Sequence, residues 1–69
     1  MKIKKVQKDL EKEVGKKINL EKSFIENNFD SLDIITSISF VEDFFKIKLS
    51  DAQLKKIKNF KDLEKKIKN

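Results

Sequence analysis

From position 30 to position 45 the chain reads Asp30-Ser31-Leu32-Asp33-Ile34-Ile35-Thr36-Ser37-Ile38-Ser39-Phe40-Val41-Glu42-Asp43-Phe44-Phe45. At about 100° per residue, Ile34, Ile35, Ile38, Val41 and Phe45 gather on one side and Asp33, Thr36, Ser39 and Asp43 on the other. This spacing predicts an amphipathic helix from Leu32 to Phe45, the central element of the fold. Asp30 supplies its cap, because the carboxylate can accept the free amides of the first turn, and Asp33 adds negative charge near the positive end of the helix dipole. Ser31 then falls at the first helical position. Phe40 and Phe44, four residues apart, form a second apolar ridge that must be covered or used.

Working outward, Ile3, Val6, Leu10 and Val14 recur at helical spacing and predict a first helix over residues 2–15. Gly15, the only glycine, ends it in a left-handed cap. Residues 16–29 carry Ile18, Leu20, Phe24, Ile25 and Phe29 too irregularly for one helix, which predicts a long loop pinned over the core by apolar anchors. After the central helix, Lys46-Ile47-Lys48-Leu49 alternates like a strand without any partner, so an extended connector is expected. Ser50-Asp51-Ala52-Gln53 has the form of a capping box opening a short helix to about Ile57, which buries Leu54 and Ile57. Asn59-Phe60-Lys61-Asp62 caps a last helix to about Ile67, with Lys65, Lys66 and Lys68 in its final turn. The expectation is an all-α four-helix bundle, one domain over residues 1–69, with a long first loop and a short third helix. Its core is assigned to Val6, Leu10, Ile35, Ile38, Val41, Phe45, Leu54, Ile57, Phe60, Leu63 and Ile67.

Composition narrows the function. The 69 residues include no cysteine and no histidine, which removes the Ser-His and Cys-His couples, a thiolate nucleophile and a zinc site. Autonomous catalysis is therefore not expected, and no metal ligands are assigned. The longest uncharged run, residues 34–41, is eight long and contains Thr36, Ser37 and Ser39. A membrane helix needs about 20 apolar residues, so no span is predicted. No targeting signal is read, and a cytoplasmic monomer is the expectation. The net charge of +5 divides into +4 over residues 1–22, −4 over residues 23–51 and +5 over residues 52–69. All 17 basic residues are lysine, so the bidentate fork with which arginine reads phosphate and guanine is missing. That argues against nucleic acid as the partner.

The group that can carry chemistry is Ser31. Its hydroxyl stands at a helix start between two carboxylates and at the end of a long loop that exposes it. A phosphate esterified there would face free backbone amides and the positive dipole end, which suits a covalent tether. On these four residues alone, an ordinary capped helix start with a solvated serine remains the simpler account.

Over a longer stretch, the chain resembles the acyl carrier protein family. The resemblance is carried by Asp30-Ser31-Leu32-Asp33, Glu42-Asp43 before Phe45, the connector Ile47-Lys48-Leu49-Ser50-Asp51, Ile57, and Phe60-Lys61-Asp62-Leu63, in that order without gaps. Ser23-Phe24-Ile25-Glu26 is similar to the loop segment before the family's attachment site, so the likeness covers about residues 23–67. It implies that Ser31 bears 4'-phosphopantetheine, added from coenzyme A by a phosphopantetheinyl transferase, the holo-carrier-protein synthase. Acyl groups would ride on that arm as thioesters between acyl-loading and acyl-transfer enzymes of fatty-acid, polyketide or specialised lipid or sugar biosynthesis. The resemblance assigns partner recognition to Asp30, Leu32, Asp33, Glu42 and Asp43, and charge reversal at Glu42 and Asp43 is expected to slow loading without unfolding. It assigns the lining of an acyl pocket to Ile35, Ile38, Phe40, Val41, Leu54 and Ile57.

The chain departs from the family pattern in its net basic charge, in lacking the glycine before the Asp-Ser pair, and in Thr36, Ser37 and Ser39 on the central helix. Phe40 stands where a smaller residue is usual and is expected to narrow a pocket between the second and third helices, leaving long chains poorly sheltered. Two other readings stand beside this one: an aminoacyl or peptidyl carrier, and a small basic helical module that binds nucleic acid without a prosthetic group.

Overall fold

A computed structural model describes residues 2–67. Four α-helices follow one another: α1 (Gln7–Val14), α2 (Ser31–Phe45), α3 (Asp51–Lys56) and α4 (Phe60–Glu64). No strand occurs among the described residues; a lone antiparallel bridge joins Ser23 to Asn59. The Cα radius of gyration is 10.8 Å.

The expected first helix is in fact two pieces. Ile3–Val6 winds as a 3-10 turn, and the backbone breaks at Val6 (φ −114°, ψ 13°) before α1 begins. Residues three apart eclipse in a 3-10 turn, so Ile3 and Val6 both face the core. The turn is anchored from the far end of the chain, because the Lys2 and Ile3 amides each donate to the Glu64 carboxylate at 3.0 Å. Gly15 closes α1 as expected, with φ +80° and its amide donating to the Glu11 carbonyl at 2.7 Å.

Residues 16–29 form turns without a regular helix. Ile18, Leu20, Phe24 and Phe29 are buried anchors, but Ile25, expected among them, is 81% exposed. Phe24 and Phe29 stack at 5.8 Å, and the Phe60 ring meets both edge-on at 5.0 and 6.0 Å. The polar side of the loop is held by Asn27, whose amide nitrogen donates to the Asn19 and Ser23 carbonyls and whose oxygen accepts the Asn19 amide. These bonds replace the ladder that a helix or sheet would supply.

Helix α2 packs against α1. It buries Ser37, Ile38 and Val41, with Ile34 and Phe45 half-buried. Ile35, assigned to the core from its sequence spacing, is 60% exposed. On a helix Ile35 lies about 120° round from Val41, whereas Ser37 lies about 40° away, so the buried arc takes in the serine and leaves out the isoleucine. Lys46 ends α2 in the left-handed region (φ 56°).

The connector and the caps of the last two helices form where they were expected. Ser50 and Gln53 make a reciprocal capping box, and Asn59 Oδ1 accepts the Asp62 amide at 2.7 Å. Both helices are shorter than their periodicity predicted. At the end of α3, Ile57 is extended and buried. Past α4 the amides of Lys66 and Ile67 donate to carbonyls three residues back, tightening the chain so that Ile67 still reaches the core. Lys68 lies outside the described residues.

Candidate functional site

The site is built at the start of α2. Asp30 sits in extended backbone, its Oδ1 accepts the Asp33 amide at 2.8 Å, and Asp33 Oδ2 accepts the Asp30 amide at 3.2 Å. This reciprocal box fixes the entry of the chain into the helix and leaves Ser31, at the first helical position, exposed. The amides of Ser31 and Leu32, the first two of the helix, precede the first intrahelical bond, which runs from the Ile34 amide to the Asp30 carbonyl.

Asp33 has a second partner. Lys16, just past the end of α1, places its ammonium on Asp33 Oδ2 and on the Asn28 carbonyl at 2.8 Å, with the Phe29 ring centre 6.0 Å away. The hydrogen bond from Lys16 holds the Asp33 carboxyl below the usual carboxylate range; burial opposes this, and the hydrogen bonds with Asp30 and the charge of Lys16 reinforce it. One of the two negative charges flanking Ser31 is thereby neutralised. Nothing in the order of residues pointed to Lys16, which is one of 17 lysines and is separated from Asp33 by the whole loop.

The acids assigned to partner recognition fall into two groups. Asp30 and Asp43 are exposed, as is Leu32 at 69%. Asp33 is committed to Lys16, and Glu42 is half-buried with Oε2 accepting the Leu49 amide at 2.8 Å. The Glu42 carboxylate thus closes the turn after α2, so reversing its charge, expected to slow loading without unfolding, also strips a structural bond that Asp43 does not make.

Of the six residues assigned to an acyl pocket, Ile38, Val41, Ile57, Phe40 and Leu54 meet in one apolar cluster, and Ile35 stands outside it. Ile38 and Val41 lie in the core, and Leu54 is half-buried beside it. Ile35 and Phe40 line an outer groove of about 520 Å³ with Glu13, Asp43 and Phe44, on the side of α2 toward α1, where Phe40 stacks on Phe44 at 6.0 Å. Ile57 alone of the six borders a second groove, of about 360 Å³, lined by Ser23, Phe24, Ile25, Ile34, Ile57 and Lys58. Ile34 lies three residues, roughly one turn, along α2 from Ser31, so one wall of this groove belongs to the first turns of the same helix. The signals for it were an isoleucine at that spacing and an apolar Phe24-Ile25 pair in a polar loop; Lys58 gave none.

Among the described residues, no group of three or more acidic side chains is arranged to hold a metal ion, and no helix is long and apolar enough to cross a membrane. The chain matches none of the protein-family models, curated proteins or solved structures with which it was compared.

Proposed function

We propose that the chain is an acyl carrier protein, with 4'-phosphopantetheine esterified to Ser31. The observation that carries this reading is the presentation of Ser31: an exposed hydroxyl at the first position of a 15-residue helix, held in place by the Asp30–Asp33 box. The succession of a long irregular connection, a long central helix, a short third helix and a fourth helix supports it, because that is the arrangement the resemblance implies.

The residues at the site fit such an arm. A phosphodiester on the Ser31 oxygen would lie against the Ser31 and Leu32 amides and the positive end of α2. Lys16 cancels the Asp33 charge that would otherwise repel it. When attached, the arm supplies the thiol that holds an acyl group as a thioester. The chain's own contribution is to hold the hydroxyl outward, to stiffen the backbone on either side of it, and to offer Asp30, Leu32 and Asp43 as an exposed docking surface. A docking surface of two acids beside an exposed leucine favours brief encounters steered by charge, as suits a shuttle that must leave each enzyme it visits.

The test is mass spectrometry after incubation with coenzyme A, magnesium and a broad-specificity phosphopantetheinyl transferase. Wild type should gain one arm and Ser31→Ala none, with equal helicity by circular dichroism. A wild-type chain that stays unmodified under conditions that load a control carrier refutes the reading.

A further inference from the structure

The groove that Ile34 borders on α2 departs from a plain apolar cleft in one member. Phe24, Ile25, Ile34 and Ile57 make its walls, and the Ser23 hydroxyl that borders it already accepts the Glu26 amide. Lys58 is the exception. Its backbone is pinned twice, the amide donating to Asp62 Oδ2 at 3.1 Å and the carbonyl accepting the Phe24 amide at 3.0 Å. Its side chain is exposed, and the ion pairs among the described residues are Lys16–Asp33 and Lys61–Glu21, neither of which involves it. Asp62, the nearest acid in sequence, faces its backbone amide.

An apolar trough with an exposed lysine among its lining residues, outside both ion pairs, sorts chains by what they carry. A chain ending in a methyl gains only burial of its carbons. A chain with a carboxylate gains in addition a charge-assisted contact, made while the lysine stem lies along apolar surface. Ile25, 81% exposed at the groove, adds wall area that such a chain would cover. We infer that this groove takes an acyl chain bearing a carboxylate, and that Lys58 is the residue that selects it. The inference rests on the carrier reading for how the chain is delivered, and on the groove itself for whether it binds.

The first test needs no loading. Apo protein with labelled isoleucine methyl groups is titrated at neutral pH with octanoate and with 1-octanol while the Ile25, Ile34 and Ile57 signals are followed. Octanoate should bind about two- to five-fold more tightly, the range an exposed ion pair supplies. Lys58→Met, which removes the charge and keeps the stem, should reduce octanoate to the level of octanol; Lys58→Arg should keep the preference, and Lys55→Met should not alter it. Equal affinities, or a preference that survives Lys58→Met, overturn the inference whatever happens at Ser31. The second test compares protein loaded with a hexanoyl or an adipoyl arm. The Lys58 ε-methylene signal should move with adipoyl only. If it moves fully when the unacylated arm is attached, the anion it meets is the arm's own phosphodiester and the inference falls. Failure to load at all refutes the carrier reading and leaves the octanoate comparison to decide the groove.

Discussion

The ammonium of Lys16 meets the carboxylate of Asp33 across the whole of the first connection, joining the end of α1 to the first turn of α2. The same nitrogen bonds the Asn28 carbonyl, where the backbone turns through φ 61° into Asp30. One lysine therefore fixes both sides of the approach to Ser31.

Replacing Lys16 with methionine is expected to lower stability slightly, by no more than a solvent-screened ion pair supplies. Urea denaturation measures this. Amide exchange should quicken at Asn28 and over the first turn of α2, with little change in α3. Lys16→Arg should restore most of the loss, and unchanged exchange around Ser31 in the methionine variant would show that the pair does not hold the site.

The Asp33 carboxyl titrates below its ordinary range because Lys16 hydrogen-bonds its charged form, so the unfolded chain binds the proton more readily than the folded one. The stability linked to Asp33 is complete above the ordinary value of about 3.9 and is lost as the pH falls from there through the folded value. Glu26, held low chiefly by the hydrogen bond from the Ser23 amide, acts in the same direction. Urea midpoints should accordingly decline below about pH 4, and Asp33→Asn should flatten that decline while lowering stability at neutral pH. A parallel decline in the variant would place the acid sensitivity elsewhere.

Ser37 is fully buried, and its hydroxyl has no hydrogen-bond partner among the described residues. Burying an unpartnered hydroxyl costs on the order of 1–3 kcal/mol. Ser37→Ala removes that cost and improves helix propensity, so it should raise stability by about 1 kcal/mol, a shift of roughly 4–8 °C in Tm for a domain of this size. Calorimetry decides it; a lower Tm would mean that the hydroxyl is bonded after all.

Glu42 and Asp43 are neighbours with different work. Glu42→Ala leaves the Leu49 amide without its carboxylate and should cost about 1–3 kcal/mol, whereas Glu42→Gln keeps an acceptor and should cost less. Asp43→Lys lies on an exposed position, where stability should change by less than about 0.5 kcal/mol. If the carrier reading holds, Asp43→Lys slows loading by partner enzymes and loses that effect at high salt. Equal destabilisation by Glu42→Ala and Asp43→Lys would contradict the division.

Much of the helical frame could be read from short-range order alone. Asp30, Ser50 and Asn59 start helices at the positions their neighbours predicted, and Gly15 ends one, because a cap bonds an amide two or three residues away and needs no other part of the chain. The position of Ser31 at a helix start belongs to this class. Depth and pairing do not. The interchange of Ile35 and Ser37 between surface and core, the grip of Glu64 on the Lys2 and Ile3 amides, the hold of Lys16 on Asp33 and the presence of Lys58 at the groove all join residues from different elements. Periodicity gives a helix an apolar side but not the direction in which that side is turned, and it does not pair a charge with one acid out of twelve. Those choices are made when the helices pack, since the burial of one face and the reach of one side chain depend on where distant segments come to rest.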